Sequence, residues 1–188
     1  TNTVIFGWSE EPENQVRQLE SIRPLSKLRK NILICRFRDN MPVESGQKID
    51  IWWGGRENNG DLMLLLAYLI RLNSGWAKSG ITIRSVVDNS EEKEKLEKGI
   101  INILFKARVK GKVEILLKGT KDFKNILKDY SGKSDLVFLG LGHSKPGEEK
   151  KTAASVDELT KDLKASILVQ NNGMPGTVPI LLNIKDKA

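Results

Sequence analysis

The chain has 188 residues, 39% of them hydrophobic and 29% charged, with a formal charge of +7. That length buries one substantial core or two closely packed halves, and the longest uninterrupted apolar run, the nine residues from Leu62 to Ile70, falls well short of the ~20 that a membrane-crossing helix needs. A single cysteine, Cys35, excludes an internal disulfide and a cysteine-rich metal site and fits a reducing, cytoplasmic setting. Thr3 to Trp8 reads as a first strand. A helical stretch follows from Asn14 to Lys30, with Val16, Leu19, Leu25 and Leu28 apolar and a bend or restart expected at Pro24. Asn31 to Phe37 is a second buried strand, in which Cys35 reads as a structural thiol. Arg38 to Gln47 is a polar loop holding Pro42 and Gly46.

Strand three, Ile49 to Trp53, alternates Ile49, Ile51 and Trp53 on one face with Asp50 and Trp52 on the other. Two filled faces predict a strand covered on both sides. Gly54, Gly55 and Gly60 make a glycine-rich turn, and Asn59 or Asp61 is placed to cap the helix that runs on to Asn73. Ile81 to Val87 is strand four. Asn89 with Glu92 resembles a capping box for a helix carrying Leu96, Ile100, Ile103, Leu104 and Ala107. Val113 to Leu117 is strand five, Phe123 to Tyr130 a short helix, and Leu136 to Leu139 strand six. The glycine- and lysine-rich loop Gly140 to Thr152 precedes a helix expected to open at the capping box Ser155 and Glu158. Ile167 to Val169 has strand character, Asn171-Asn172-Gly173 is a turn signal, and Val178 to Ile184 reads as a last, edge strand because Pro179 cannot donate to a ladder.

This alternation predicts an α/β fold, an open and mostly parallel sheet with helices on both faces. A short turn between the last two strands favours antiparallel edge pairing near the C-terminus. Residues 1–188 are expected to form one domain, with 38–47 the place where it would divide. The chain opens without a signal-peptide pattern and without an initiating methionine, as an excised domain would.

The chemistry of catalysis is thin. His143 is the only histidine, so no second one shares a metal or a triad with it, and it reads as a polar loop residue. The carboxylates gather at helix starts, where the dipole favours them. Gly54 and Gly55 follow strand three and open a helix, and Gly140 and Gly142 follow strand six, so these four glycines are candidates for an anion or nucleotide loop. Neither loop has the spacing of a dinucleotide or Walker fingerprint. No cofactor and no metal is called for. Lysines interspersed with acids, as in Glu91-Glu92-Lys93-Glu94-Lys95, describe a solvated face and not a nucleic-acid groove. The net charge is compatible with a weak attraction to an anionic membrane surface.

Asp50-Ile51-Trp52-Trp53, the glycine turn, and the helix carrying Leu64, Leu65 and Leu66 closely resemble the hallmark of the C-terminal cytoplasmic domain of cation-chloride cotransporters. Members of that family carry Ile-Asp-(apolar)-Trp-Trp, a His-Asp-Gly-Gly type turn and a leucine-rich helix. Asn2 to Gly7, Ser134 to Leu139 and Ile167 to Asn172 are similar to further segments of the family, in the same order. The chain departs from it in the longer turn Gly54 to Asn59 and in lacking the long inserts of animal relatives, as a compact prokaryotic member would. The resemblance implies a universal-stress-protein-like fold, a homodimer, and the cytoplasmic half of a secondary transporter that moves chloride with potassium and/or sodium. Its other partner would be its own transmembrane domain, at the cytoplasmic face of the membrane. The role implied is regulatory and non-catalytic, with Asp50, Trp52, Trp53, Leu64, Leu65 and Leu66 as structural motif residues. Trp8, Trp76 and the Val178 to Ile184 strand offer apolar surface for either a dimer contact or the core. The competing expectation is a freestanding nucleotide-binding domain of universal-stress-protein type. An enzyme ranks last, since no acid–base pair can be assembled.

Overall fold

In a computed structural model, which describes residues 2–38, 47–54 and 59–173, the apolar runs form strands and the amphipathic stretches between them form helices. In chain order these are β1 (Thr3–Gly7), α1 (Pro12–Lys27), β2 (Asn31–Phe37), β3 (Lys48–Trp52), α2 (Asn59–Arg71), β4 (Gly80–Val87), α3 (Ser90–Ala107), β5 (Lys112–Leu117), α4 (Phe123–Ser131), β6 (Leu136–Gly140), α5 (Glu149–Thr160) and β7 (Ala165–Gln170), with a 3₁₀ turn at Ser74–Trp76. No helix among the described residues is long and apolar enough to cross a membrane.

The strands make one seven-stranded sheet in the order β1-β2-β7-β6-β3-β4-β5. From β3 the chain crosses by α2 to β4 on one side, and from β6 it crosses by α5 to β7 on the other. The strand order therefore reverses between β3 and β6. All pairings are parallel except that of β2 with β7, where Ile32 lies opposite Gln170 and Phe37 opposite Ala165. An antiparallel pairing thus does involve the C-terminal described strand, and it lies inside the sheet, with β1 beyond β2. Val178 to Ile184, the other half of the expected edge pair, lies outside the described residues, as does most of the 38–47 loop.

The period-2 pattern of β3 sorts the molecule into two cores. Ile49, Ile51 and the half-buried Trp53 face α2 and α3, with Met63, Leu64, Ile83, Ile100 and Phe138. Trp52 faces α1, α4 and α5, with Leu19, Ile126, Leu127, Val137 and Val156. Leu64 and Leu65 are buried, and Leu66 packs against the first core half-exposed. Burying both faces of β3 is what its two tryptophans and two isoleucines demand. At roughly 1.5–3 kcal/mol per fully buried large side chain, these positions carry much of the driving force for folding.

Two local expectations are corrected. α1 does not restart at Pro24 but runs on to Lys27; a proline inside a helix loses its own N–H bond and crowds the carbonyl four residues back, and here only the last turn lies beyond it. α5 starts at Glu149, well before Ser155. Ser155 lies inside the helix and donates back to the Lys151 carbonyl at 2.9 Å, so it caps nothing. Trp8 is core, with its Nε1–H donating to Asp157 at 2.8 Å. Cys35 is packed against the first core, and burial pushes its thiol above the usual range.

Candidate functional site

Asp50 is 2% exposed, a charge in the middle of the sheet, and such a group requires partners. Its carboxylate accepts from Ser131 Oγ at 2.6 Å and from Ser134 Oγ at 2.5 Å, at the end of α4 and just beyond it. Arg84 on β4 contacts the same carboxylate and donates through Nε to Glu114 on β5 at 2.9 Å. The register explains the geometry, because Trp52, Arg84 and Glu114 stand side by side across β3, β4 and β5. Trp52 Nε1–H donates to the Ser131 hydroxyl at 3.0 Å, and its ring meets Phe123 edge-on at 5.2 Å. The Arg84 guanidinium also lies over the Tyr130 ring, 5.9 Å from its centre. Asp50 and Trp52 of the motif therefore converge on one serine. Hydrogen bonds from the Lys112 ammonium, with the charge of Arg84 beside it, hold the Glu114 carboxyl below its ordinary range.

Beyond this network, at the C-terminal ends of the parallel strands, a cavity of about 430 Å³ opens at the β3–β6 reversal point. In open α/β sheets this is where ligands bind. Its wall is Trp52, Trp53 and Gly54 from β3 and its exit, Ser85 and Val86 from β4, Leu139 to Leu141 from β6, and Leu168 from β7. Phe123 of α4 and Thr152, Ser155, Val156 and Leu159 of α5 close the other side.

Of the four candidate glycines, Gly54 and Gly140 meet at this cavity. Gly55 lies outside the described residues. Gly142 lines a separate, smaller cavity of about 70 Å³ with His143, Arg23 and Gln170. Gly140 is explained by packing: a Cβ there would stand 3.2 Å from Asn59 Nδ2. Asn59 is the first described residue of α2, and its Oδ1 accepts from the Asn171 N–H at 2.7 Å. Gly60 is a stricter case, since a Cβ would come within 2.4 Å of the Trp53 ring. His143 is exposed and contacts the Gln170 amide through Nδ1. Among the described residues, no three His, Cys, Asp or Glu side chains cluster so as to hold a metal.

Sequence reasoning missed Arg84, Ser131 and Ser134 as partners of the motif, and Phe123, Thr152 and Leu159 as cavity walls. The one available signal was Arg84 itself, a charge inside an otherwise apolar strand, which calls for a carboxylate on a neighbouring strand.

No family model matches the chain. Among solved structures it is similar to the cytoplasmic domain of a prokaryotic cation chloride cotransporter, with a TM-score of 0.71 and 17% identity over 95% of this chain and 67% of the other. It is also similar to a universal stress protein from Archaeoglobus fulgidus DSM 4304, with a TM-score of 0.58 and 13% identity over 91% of this chain and 61% of the other. The chain thus spans about two thirds of the length of the solved proteins it matches. At these identities the likeness is one of fold: a mostly parallel α/β sheet of the kind found in universal stress proteins and in a cotransporter's cytoplasmic domain.

Proposed function

We propose that this chain is a non-catalytic regulatory and dimerisation domain at the cytoplasmic face of the membrane, part of a secondary transporter that carries chloride with potassium and/or sodium. One coincidence carries the reading. The Trp-Trp stretch resembles the cotransporter family by its residues, and the fold is independently similar to that family's cytoplasmic domain. The Asp50, Trp52 and Ser131 network gives the motif a structural task, which suits a domain that acts by shape and not by turnover. The test is the complete genomic reading frame that contains the chain. Expressed in full, it should encode apolar segments of about 20 residues and support chloride-dependent uptake of rubidium or sodium that changes when this domain is deleted. A frame with no membrane-spanning segments overturns the proposal. Turnover of a nucleotide or ester, abolished by His143→Ala, would overturn its non-catalytic part.

A freestanding nucleotide-binding domain is the second reading, favoured by the position of the cavity at the strand reversal. Calorimetry with ATP, ADP and AMP at millimolar concentration decides it, since absence of heat with all three removes it.

A further inference from the structure

We propose that the cavity at the β3–β6 reversal binds an uncharged aromatic compound bearing one N–H or O–H donor, of the phenol or indole type. This stands independently of the transporter reading and is the alternative to a nucleotide in the same cavity, because it rests on how the cavity is lined. At about 430 Å³ the space lies within the range of small-molecule sites. None of the described residues that line it carries a charge, so no lysine or arginine among them is placed to anchor a phosphate. Its walls present instead the rings of Trp52, Trp53 and Phe123, and aromatic surfaces favour offset or edge-on contact with another ring. The polar contribution comes from α5. Ser155 spends its proton on the Lys151 carbonyl, which leaves its oxygen to accept a hydrogen bond from a donor in the cavity.

Gly54 supplies the second, independent observation. Gly60 and Gly140 are glycines because Trp53 and Asn59 leave no room for a side chain. Among the described residues Gly54 has no such reason: its φ is not in the left-handed region, and a Cβ there would meet nothing within 4 Å; Gly7, Gly80, Gly99 and Gly119 share this, but of the five only Gly54 lines the cavity. The protein's own packing and backbone would accept a larger residue at this point of the cavity wall. An occupant that approaches the backbone closely would not.

N-phenyl-1-naphthylamine, which is neutral and becomes fluorescent on leaving water, is the probe, titrated into the 188-residue chain with indole, AMP and inorganic phosphate as separate competitors. Fluorescence should rise saturably, with emission from Trp52 and Trp53 quenched by energy transfer. Indole should displace the probe, while AMP and phosphate should not. Gly54→Leu should melt like the parent and weaken probe binding at least about tenfold. Gly119→Leu, another site where a Cβ meets nothing but away from the cavity, should leave binding unchanged. If Gly54→Leu does not fold, Ser155→Phe at an exposed position of α5 occludes the same space. Absence of saturable binding, binding unchanged in both occluding variants, or displacement of the probe by AMP or phosphate would each overturn the proposal.

Discussion

Asp50 shows how much of this fold one side chain can hold in place. Removing its carboxylate leaves Arg84 with only Glu114 and strips two buried serine hydroxyls of their acceptor. Breaking a buried ion pair from one side typically costs ~3–5 kcal/mol, and Asp50→Ala should lose stability on that scale in urea unfolding. Asp50→Asn should lose less, because the amide oxygen still accepts from one serine. Trp53 and Gly60 form a second unit. Gly60→Ala drives a methyl into the indole and should cost ~1–3 kcal/mol, but little in a Trp53→Leu background, where the ring is gone. A double-mutant cycle without coupling would show that the two do not touch. The alternating faces of β3 were legible in the sequence because the period of a strand is fixed at two. The serines were not, since they stand 81 and 84 residues further along the chain and nothing local points to them.

At the scale of elements, helix starts divide by what their polar side chains do. Asn89 caps α3, with its Oδ1 accepting from the Glu92 N–H at 2.8 Å, as the sequence indicates. Asn89→Ala should cost ~1 kcal/mol in thermal or urea unfolding. Ser155 with Glu158 has the same pattern, yet α5 has already begun, because the lysine- and alanine-rich stretch before it is itself helix-forming. Placing the helix late hid Thr152 from the cavity. Carboxylates also tie elements together in a pH-dependent way. For Asp135, burial acts to raise the pKa, but bonds from the Lys164 ammonium at 2.7 Å and the Lys48 N–H at 2.9 Å outweigh it and leave it below the ordinary value. Glu158, between Lys124 and Lys161, is drawn down to about 2, but it lies at the solvent-exposed surface, where screening leaves it adding little. Groups with lowered folded-state pKa values stabilise the protein above their unfolded values and lose that contribution as pH falls through the folded ones. The melting midpoint should therefore be flat above about pH 5 and fall progressively below about pH 4. A midpoint that rises on acidification would contradict these assignments.

At the scale of the molecule, the proposed dimer has a surface to test. Phe105 is 81% exposed and Ile101 51%, one turn apart on α3, an apolar pair left uncovered by the described residues. Sedimentation over a wide concentration range should show a dimer that Phe105→Ser weakens; a strict monomer at the highest soluble concentration, and in the full-length protein in detergent, rules it out. Of the two roles the sequence leaves open for Trp8 and Trp76, dimer contact or core, packing favours the core, with Trp8 in the second and Trp76 against the first. The parallel character of the sheet was legible from the alternation of strands and helices. The order of the strands was not, because β2 pairs with a strand at the far end of the sequence, and pairing over such a separation leaves no trace in local periodicity.

The reversed direction of β2 has a consequence for how the protein is made. The unit of β1, α1 and β2 rests on β7 and α5, which are synthesised only after β3 to β6. Ile32 and Ile34 on one face of β2 and Leu33 on the other must wait through the synthesis of everything from β3 to β7, on the order of ten seconds at ordinary elongation rates. During that interval the central strands can close around β3 while the first 37 residues stay exposed to other chains. Within this fold, the β1, α1 and β2 unit is the part most open to aggregation, and most in need of a chaperone, until β7 has been made.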